Sequence, residues 1–96
     1  MGAPVGTDWG FGTATQTTIP VTRLVAVPGG AVTMVAQAFL TSTMVQAGTQ
    51  PFSAASPVTI TGLNANTSYR VRAAWADAAG VPVSDWSPLK PAATLP

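Results

Sequence analysis

Residues 62–75, read Gly-Leu-Asn-Ala-Asn-Thr-Ser-Tyr-Arg-Val-Arg-Ala-Ala-Trp, constrain this chain more than any other stretch. Residues 62–68 are turn formers, and the seven that follow alternate as a half-buried strand does. Side chains alternate across a strand, so Tyr69, Val71, Ala73 and Trp75 share one face while Arg70, Arg72 and Ala74 share the other. Leu63, Thr67 and Tyr69 have the spacing of a tyrosine corner. There a Tyr near the start of a strand returns its hydroxyl to backbone a few residues upstream. A large ring is then buried with its polar end satisfied.

This pattern resembles the fibronectin type III family, whose motif runs Leu-x-Pro-x-Thr-x-Tyr into an alternating strand. Ala65 stands where the family usually has Pro, which leaves the corner less stiff. The resemblance covers about residues 19–95 and is specific from Val58 onward. It implies an all-β fold: one fibronectin type III-like or immunoglobulin-like antiparallel β-sandwich. Two departures trim it. The Trp expected in the family's second strand is missing from residues 31–40, and the interval from there to Leu63 is short. About seven short strands are expected.

The remaining elements follow from alternation and turn chemistry. Residues 19–27 read as a first strand, opened by Pro20 and closed by the turn Pro28-Gly29-Gly30. Residues 31–41 form the longest apolar stretch, with Val32, Met34, Ala36, Ala38 and Leu40 on one face; its β-branched content favours a strand over a short helix. Residues 43–47 form a further short strand and residues 48–57 a loop. Val58 and Ile60 point inward from the strand that enters the corner. Residues 81–95 close the domain, with Pro82, Pro88 and Pro91 restricting them to an edge. Residues 1–18 show no sustained period and read as an extended N-terminal arm, separate from a sandwich over residues 19–96. Trp9 and Phe11, between Gly10 and Gly12, have the character of anchors that order on a partner, with a disordered terminus as the alternative.

Composition narrows the chemistry. The chain has no Cys and no His, which removes disulfides, thiolates, the common zinc sites and the His-activated nucleophiles. Its three acids are Asp8, Asp77 and Asp85. Asp77 and Asp85 flank the last loop, within reach of the roughly 5–10 Å that paired-carboxylate catalysis uses. Nothing nearby raises one carboxyl above the other, and calcium would need more oxygen ligands than this loop offers. No phosphate-cradling Gly loop exists, and four basic residues are too few for a nucleic-acid groove. No secretion signal or run of apolar residues long enough to span a bilayer is evident. No enzyme activity, cofactor, metal, nucleic acid or membrane is expected.

Only 7% of residues are charged, against roughly 25% in an average soluble domain. Such a surface protects a free monomer poorly against association. Compositional drift in an Ala- and Thr-rich proteome explains this, and so does a surface covered by neighbouring subunits. Small stand-alone sandwiches of this kind look like accessory virion proteins of tailed bacteriophages. That resemblance implies a capsid decoration (cement) protein, or another virion accessory protein, in many copies on the major capsid protein or tail components. Its localisation is then the virion, assembled in the host cytoplasm and extracellular as part of the particle. The alternative is a carbohydrate- or cell-surface-binding module, in which Trp86 and Trp9 stack on a glycan and Ser84, Asp85 and Ser87 add polar contacts. Trp86 is also placed to stack on Arg70 and Arg72.

Overall fold

β-branched and aromatic residues at alternate positions, interrupted by Gly and Pro, make strands and little else. The computed structural model describes residues 2–96, which contain eight strands and no helix. In chain order these are β1 (Trp9–Phe11), β2 (Ile19–Arg23), β3 (Thr33–Leu40), β4 (Gln46–Ala47), β5 (Phe52–Ser53), β6 (Val58–Ile60), β7 (Ser68–Ala76) and β8 (Lys90–Ala93). One sheet runs β1-β2-β6. The other runs β4-β3-β7-β8, with β5 also paired to β3. All pairings are antiparallel. The fold is an all-β sandwich.

The two sheets close on one core. Ile19, Val21, Val58 and Ile60 project from the smaller sheet. Met34, Ala36, Ala38, Tyr69, Val71, Ala73 and Trp75 meet them from the larger. The alternation read for residues 58–60 and 69–75 thus points inward as expected. Many of the facing positions are Ala, so the few large rings fill much of the space between the sheets.

The tyrosine corner is formed. Tyr69 is fully buried, and the backbone N–H of Asn64 donates to its hydroxyl at 2.8 Å. Leu63 is buried beneath the turn, and the Thr67 hydroxyl donates to the Ala65 carbonyl at 2.8 Å. Thr94 closes the corner from the last strand: its hydroxyl accepts from the Thr67 N–H and donates to the Asn64 carbonyl. These bonds hold the turn with Ala65, and no proline, within it.

The N-terminal region departs from expectation. Of the arm expected over residues 1–18, the described part, residues 2–18, is not apart from the sandwich, because β1 pairs with β2 in the register Trp9↔Arg23 to Phe11↔Val21. Trp9 is 1% exposed and lies in the core, with the half-buried Phe11 packed edge-on at 5.5 Å between ring centroids. Burying such a ring is worth several kcal/mol relative to leaving it in water, so it outweighs what one short strand contributes in hydrogen bonds. Lys90 seals the same end. Its ammonium lies 4.3 Å from the centre of the Trp9 ring and donates to the carbonyls of Gly6 and Trp9. Further along, the Leu95 N–H donates to the Thr15 carbonyl, tying the 12–18 connection to the last strand. A single unit over the described residues replaces the expected division at residue 18.

Two stability outcomes follow. Tyr69→Phe takes the acceptor from the Asn64 N–H in a part-buried hydrogen bond and should cost about 1 kcal/mol. Trp9→Ala should cost about 3–5 kcal/mol, as buried aromatic truncations do. Urea unfolding followed by circular dichroism measures both. A Trp9→Ala midpoint equal to the parent's would restore the view of residues 1–18 as a detachable arm.

Candidate functional site

Residues directly opposite in an antiparallel pair share a face, so the outer face of the larger sheet can be read from its register. Gln37 lies opposite Arg72, Val35 opposite both Ala74 and Phe52, and Phe39 opposite Arg70 and Gln46. This is the set that faces away from the core, as the alternation of β7 requires.

At its centre the Arg72 guanidinium lies between two rings, 4.4 Å from the centre of Trp86 and 5.0 Å from that of Phe39. Its Nε donates to the Gln37 side-chain oxygen at 2.9 Å. The Gln37 amide donates in turn to Gln50, and the Gln46 amide donates to the same oxygen. Desolvation by these neighbours pushes the guanidinium pKa down from its ordinary value. A guanidinium starts so high that it stays charged at any physiological pH. Trp86 also packs over Val35, Ala74 and Ala76, which buries the outward-facing positions at this end of β3 and β7, while Arg70 at the other end stays exposed.

The expectation for Trp86 is therefore met in one part and changed in another. It stacks on Arg72, not on Arg70, and it is half-buried, with a guanidinium against its ring. Ser84 and Ser87 are not free polar groups beside it. The Trp75 N–H donates to Ser84 Oγ while the Val83 N–H donates to the Trp75 carbonyl. The Ala73 N–H donates to Ser87 Oγ while the Ser87 N–H donates to the Ala73 carbonyl. Two hydroxyls thus stand in for backbone carbonyls along an edge of β7 that the Pro-rich 82–88 segment cannot pair regularly. Trp9, the second ring proposed for a glycan or a partner, is buried. Phe11 is spent against the core.

The acids are spread apart. Asp8 accepts from the Val5 N–H, and Asp77 Oδ1 accepts from the N–H groups of Ala79 and Val81, shaping the turn before residue 82. Among the described residues no three His, Cys, Asp or Glu side chains gather in a metal-binding group. Asp85 is exposed.

Two other surface features stand out. Phe52 is 47% exposed, and its ring lies flat against Gly80 in the turn, where φ is 79° and any Cβ would fall on the ring. Val32, Val81 and Val83 are exposed around the same end of the larger sheet, where β3 begins and β7 ends. At the opposite end lies an open cavity of about 390 Å³, lined by Thr41, Ser68, Arg70, Pro91 and Ala93 among others. None of these features carried a signal in the spacing of residues, since each depends on which strands become neighbours.

No family model matches the chain. No curated protein matches it either. Among solved structures, a computer-based redesign of a β-sandwich protein superimposes with a TM-score of 0.49 at 17% identity, over 88% of this chain and 84% of that chain. The sandwich assignment here stands on the chain's own sheets and core.

Removing the Ser87 hydroxyl tests the edge described above. Ser87→Ala strands the buried Ala73 N–H and should cost about 1–3 kcal/mol, read by thermal unfolding. Ser84→Ala, where the bond is only partly buried, should cost less. Equal and negligible losses would show that the hydroxyls do not hold the 82–88 segment.

Proposed function

We propose that this chain is a non-enzymatic structural protein of a multi-subunit particle, a bacteriophage capsid decoration protein or a related virion accessory protein. The observation that carries the reading is the surface. Four basic and three acidic residues are all the charge there is. Among the described residues ten large apolar side chains are exposed, from Val5 and Leu24 through Phe52 to Leu95. Single exposed apolar residues are ordinary, but a surface with so little charge between them favours being covered.

The sheet arrangement supports the finer resemblance. A three-stranded sheet facing a larger one, with a tyrosine corner leading into the central strand, is how a fibronectin type III-like domain is built. From that fold to a virion is a step of analogy, since folds of this kind serve many functions. What the architecture adds is a change in how attachment works. With Trp9 inside the core, attachment passes to the faces and ends of the sandwich: the apolar end around Phe52 and Val81, and the outer face around Arg72. Many weak contacts on a symmetric shell then add up to firm retention.

The glycan reading has less behind it. A sugar platform needs a free aromatic face with polar groups around it, whereas Trp86 carries Arg72 and both serines are occupied by backbone. Asp85 and part of the Trp86 ring are what remain for it.

Purified particles from the source of this sequence provide the test. Mass spectrometry should find the chain in fixed stoichiometry with the major structural protein, and cryo-electron microscopy should place it on the outside of the shell or tail. Absence from particles, together with saturable binding of cell-wall polysaccharide that is lost in Trp86→Ala, would replace this reading with the glycan one.

A further inference from the structure

Nearly every charged side chain is already engaged within the protein. Arg23 donates to the Ala54 carbonyl, Arg72 to Gln37, and Lys90 to the carbonyls of Gly6 and Trp9. Asp8 and Asp77 accept from their own loops. Among the described residues this leaves one cation and one anion without a partner, Arg70 and Asp85, both exposed. Arg70 stands at the wall of the 390 Å³ cavity, together with the hydroxyl-bearing Thr41 and Ser68, and no carboxylate lines it.

We propose that this cavity receives the Asp85 carboxylate of a second copy of this chain. Arg70 supplies a planar pair of donors suited to a carboxylate, and the Thr41 and Ser68 hydroxyls are free to donate beside it. The walls formed by Pro91 and Ala93 are small and apolar, so a short acidic side chain fits with its methylene against them. Tyr69 also lines the cavity but is buried, so it presents no free ring face on which a sugar could stack, which favours a polypeptide occupant over a glycan. Three residues beyond Thr41, Met44 and Val45 are exposed, so apolar area lies close to the ion pair to be covered with it. On the donor side Asp85 precedes Trp86, which brings part of an aromatic ring to the contact, as interface anchors do. The contact is either reciprocal, closing a two-fold dimer, or head-to-tail, building a ring or array. An exposed ion pair of this kind is weak alone and gains strength by repetition. The inference rests on the assembly reading above and names one contact within it.

Charge exchange tests it on the intact chain. Sedimentation velocity at low salt, from dilute to concentrated protein, should show reversible self-association of the parent. Arg70→Glu and Asp85→Lys should each weaken it by about tenfold or more, and the double variant, with the pair reversed, should recover it. Unfolding midpoints confirm that the variants remain folded; Arg70→Gln and Asp85→Asn serve where a reversal does not fold. A parent that stays monomeric throughout overturns the contact, as does association indifferent to either change. Loss in Arg70→Glu with no effect of Asp85→Lys and no recovery overturns Asp85 as the occupant and assigns the contact to another acceptor of the same chain. None of these failures touches particle composition, which tests the wider function separately.

Discussion

The β3–β7 ladder is the element on which the rest of the molecule depends. Eight residue pairs, from Thr33↔Ala76 to Leu40↔Tyr69, join the two longest strands in continuous register. Register in a strand pair is all-or-none with respect to face. Once Leu40 is opposite Tyr69, the inner row of Met34, Ala36, Ala38, Val71, Ala73 and Trp75 is set, and so is the outer row of Val35, Gln37, Phe39, Arg70, Arg72 and Ala74. The tyrosine corner pins one end of this ladder by tying Tyr69 to Asn64. The Val32 N–H, donating to the Ala76 carbonyl, continues it at the other. The smaller sheet then has a surface to close on.

The ladder also shows how part of its outer face comes to be covered. An antiparallel sheet commonly leaves one face to water, and the two arginines of β7 suggest that this one should. Arg70 does face water. Arg72 is partly covered, because Trp86 returns from the Pro-rich segment and lies over it, while Phe39 covers its other side. Stacking lets a guanidinium be partly desolvated without an acid beside it, since the ring faces and the Gln37 oxygen replace some of what water gave. The outer face thereby becomes a polar-aromatic layer of Phe39, Arg72, Trp86 and three glutamines. It is more ordered than a solvated charged face, and less apolar than a second core.

Most of the sandwich was legible in the amino-acid order, and the reasons it was so mark where legibility ends. β6 and the first half of β7 alternate cleanly because each turns one apolar row to the core, so Val58, Ile60, Tyr69, Val71 and Trp75 were readable as core. The tyrosine corner was readable because its geometry is local, within six residues. β1 was not. A strand of three residues has too short a run to show a period, and Gly10 and Gly12 around Phe11 look like linker. The one available hint was that Trp9 and Phe11 are two apart, the spacing of a shared face. The roles of Ser84 and Ser87 were hidden for another reason: a hydroxyl that replaces a carbonyl leaves no trace in hydropathy. Lys90 over Trp9 joins residues from opposite ends of the chain, which no local pattern anticipates. The candidate surface was therefore legible as residue types, Arg70, Arg72 and Trp86, but not as an arrangement.

Low charge has a structural counterpart that bears on function. The chain meets most of its electrostatic needs internally: three of its four cations donate to its own acceptors, and two of its three acids shape its own turns. Such a surface creates little long-range field, so it neither steers toward a partner nor repels its own copies. Association then depends on short-range fit and on apolar contact, which changes little with salt. That suits a subunit that must sit close to many identical neighbours without accumulating repulsion among them. A domain that had to find one charged ligand at a distance would need the opposite distribution. The one free cationic and one free anionic side chain among the described residues, Arg70 and Asp85, are too few to steer encounter, but in the contact proposed above they would select one orientation from many similar apolar ones. In the proposed assembly, built from weak and otherwise indistinct surfaces, setting that register would be the task left to charge.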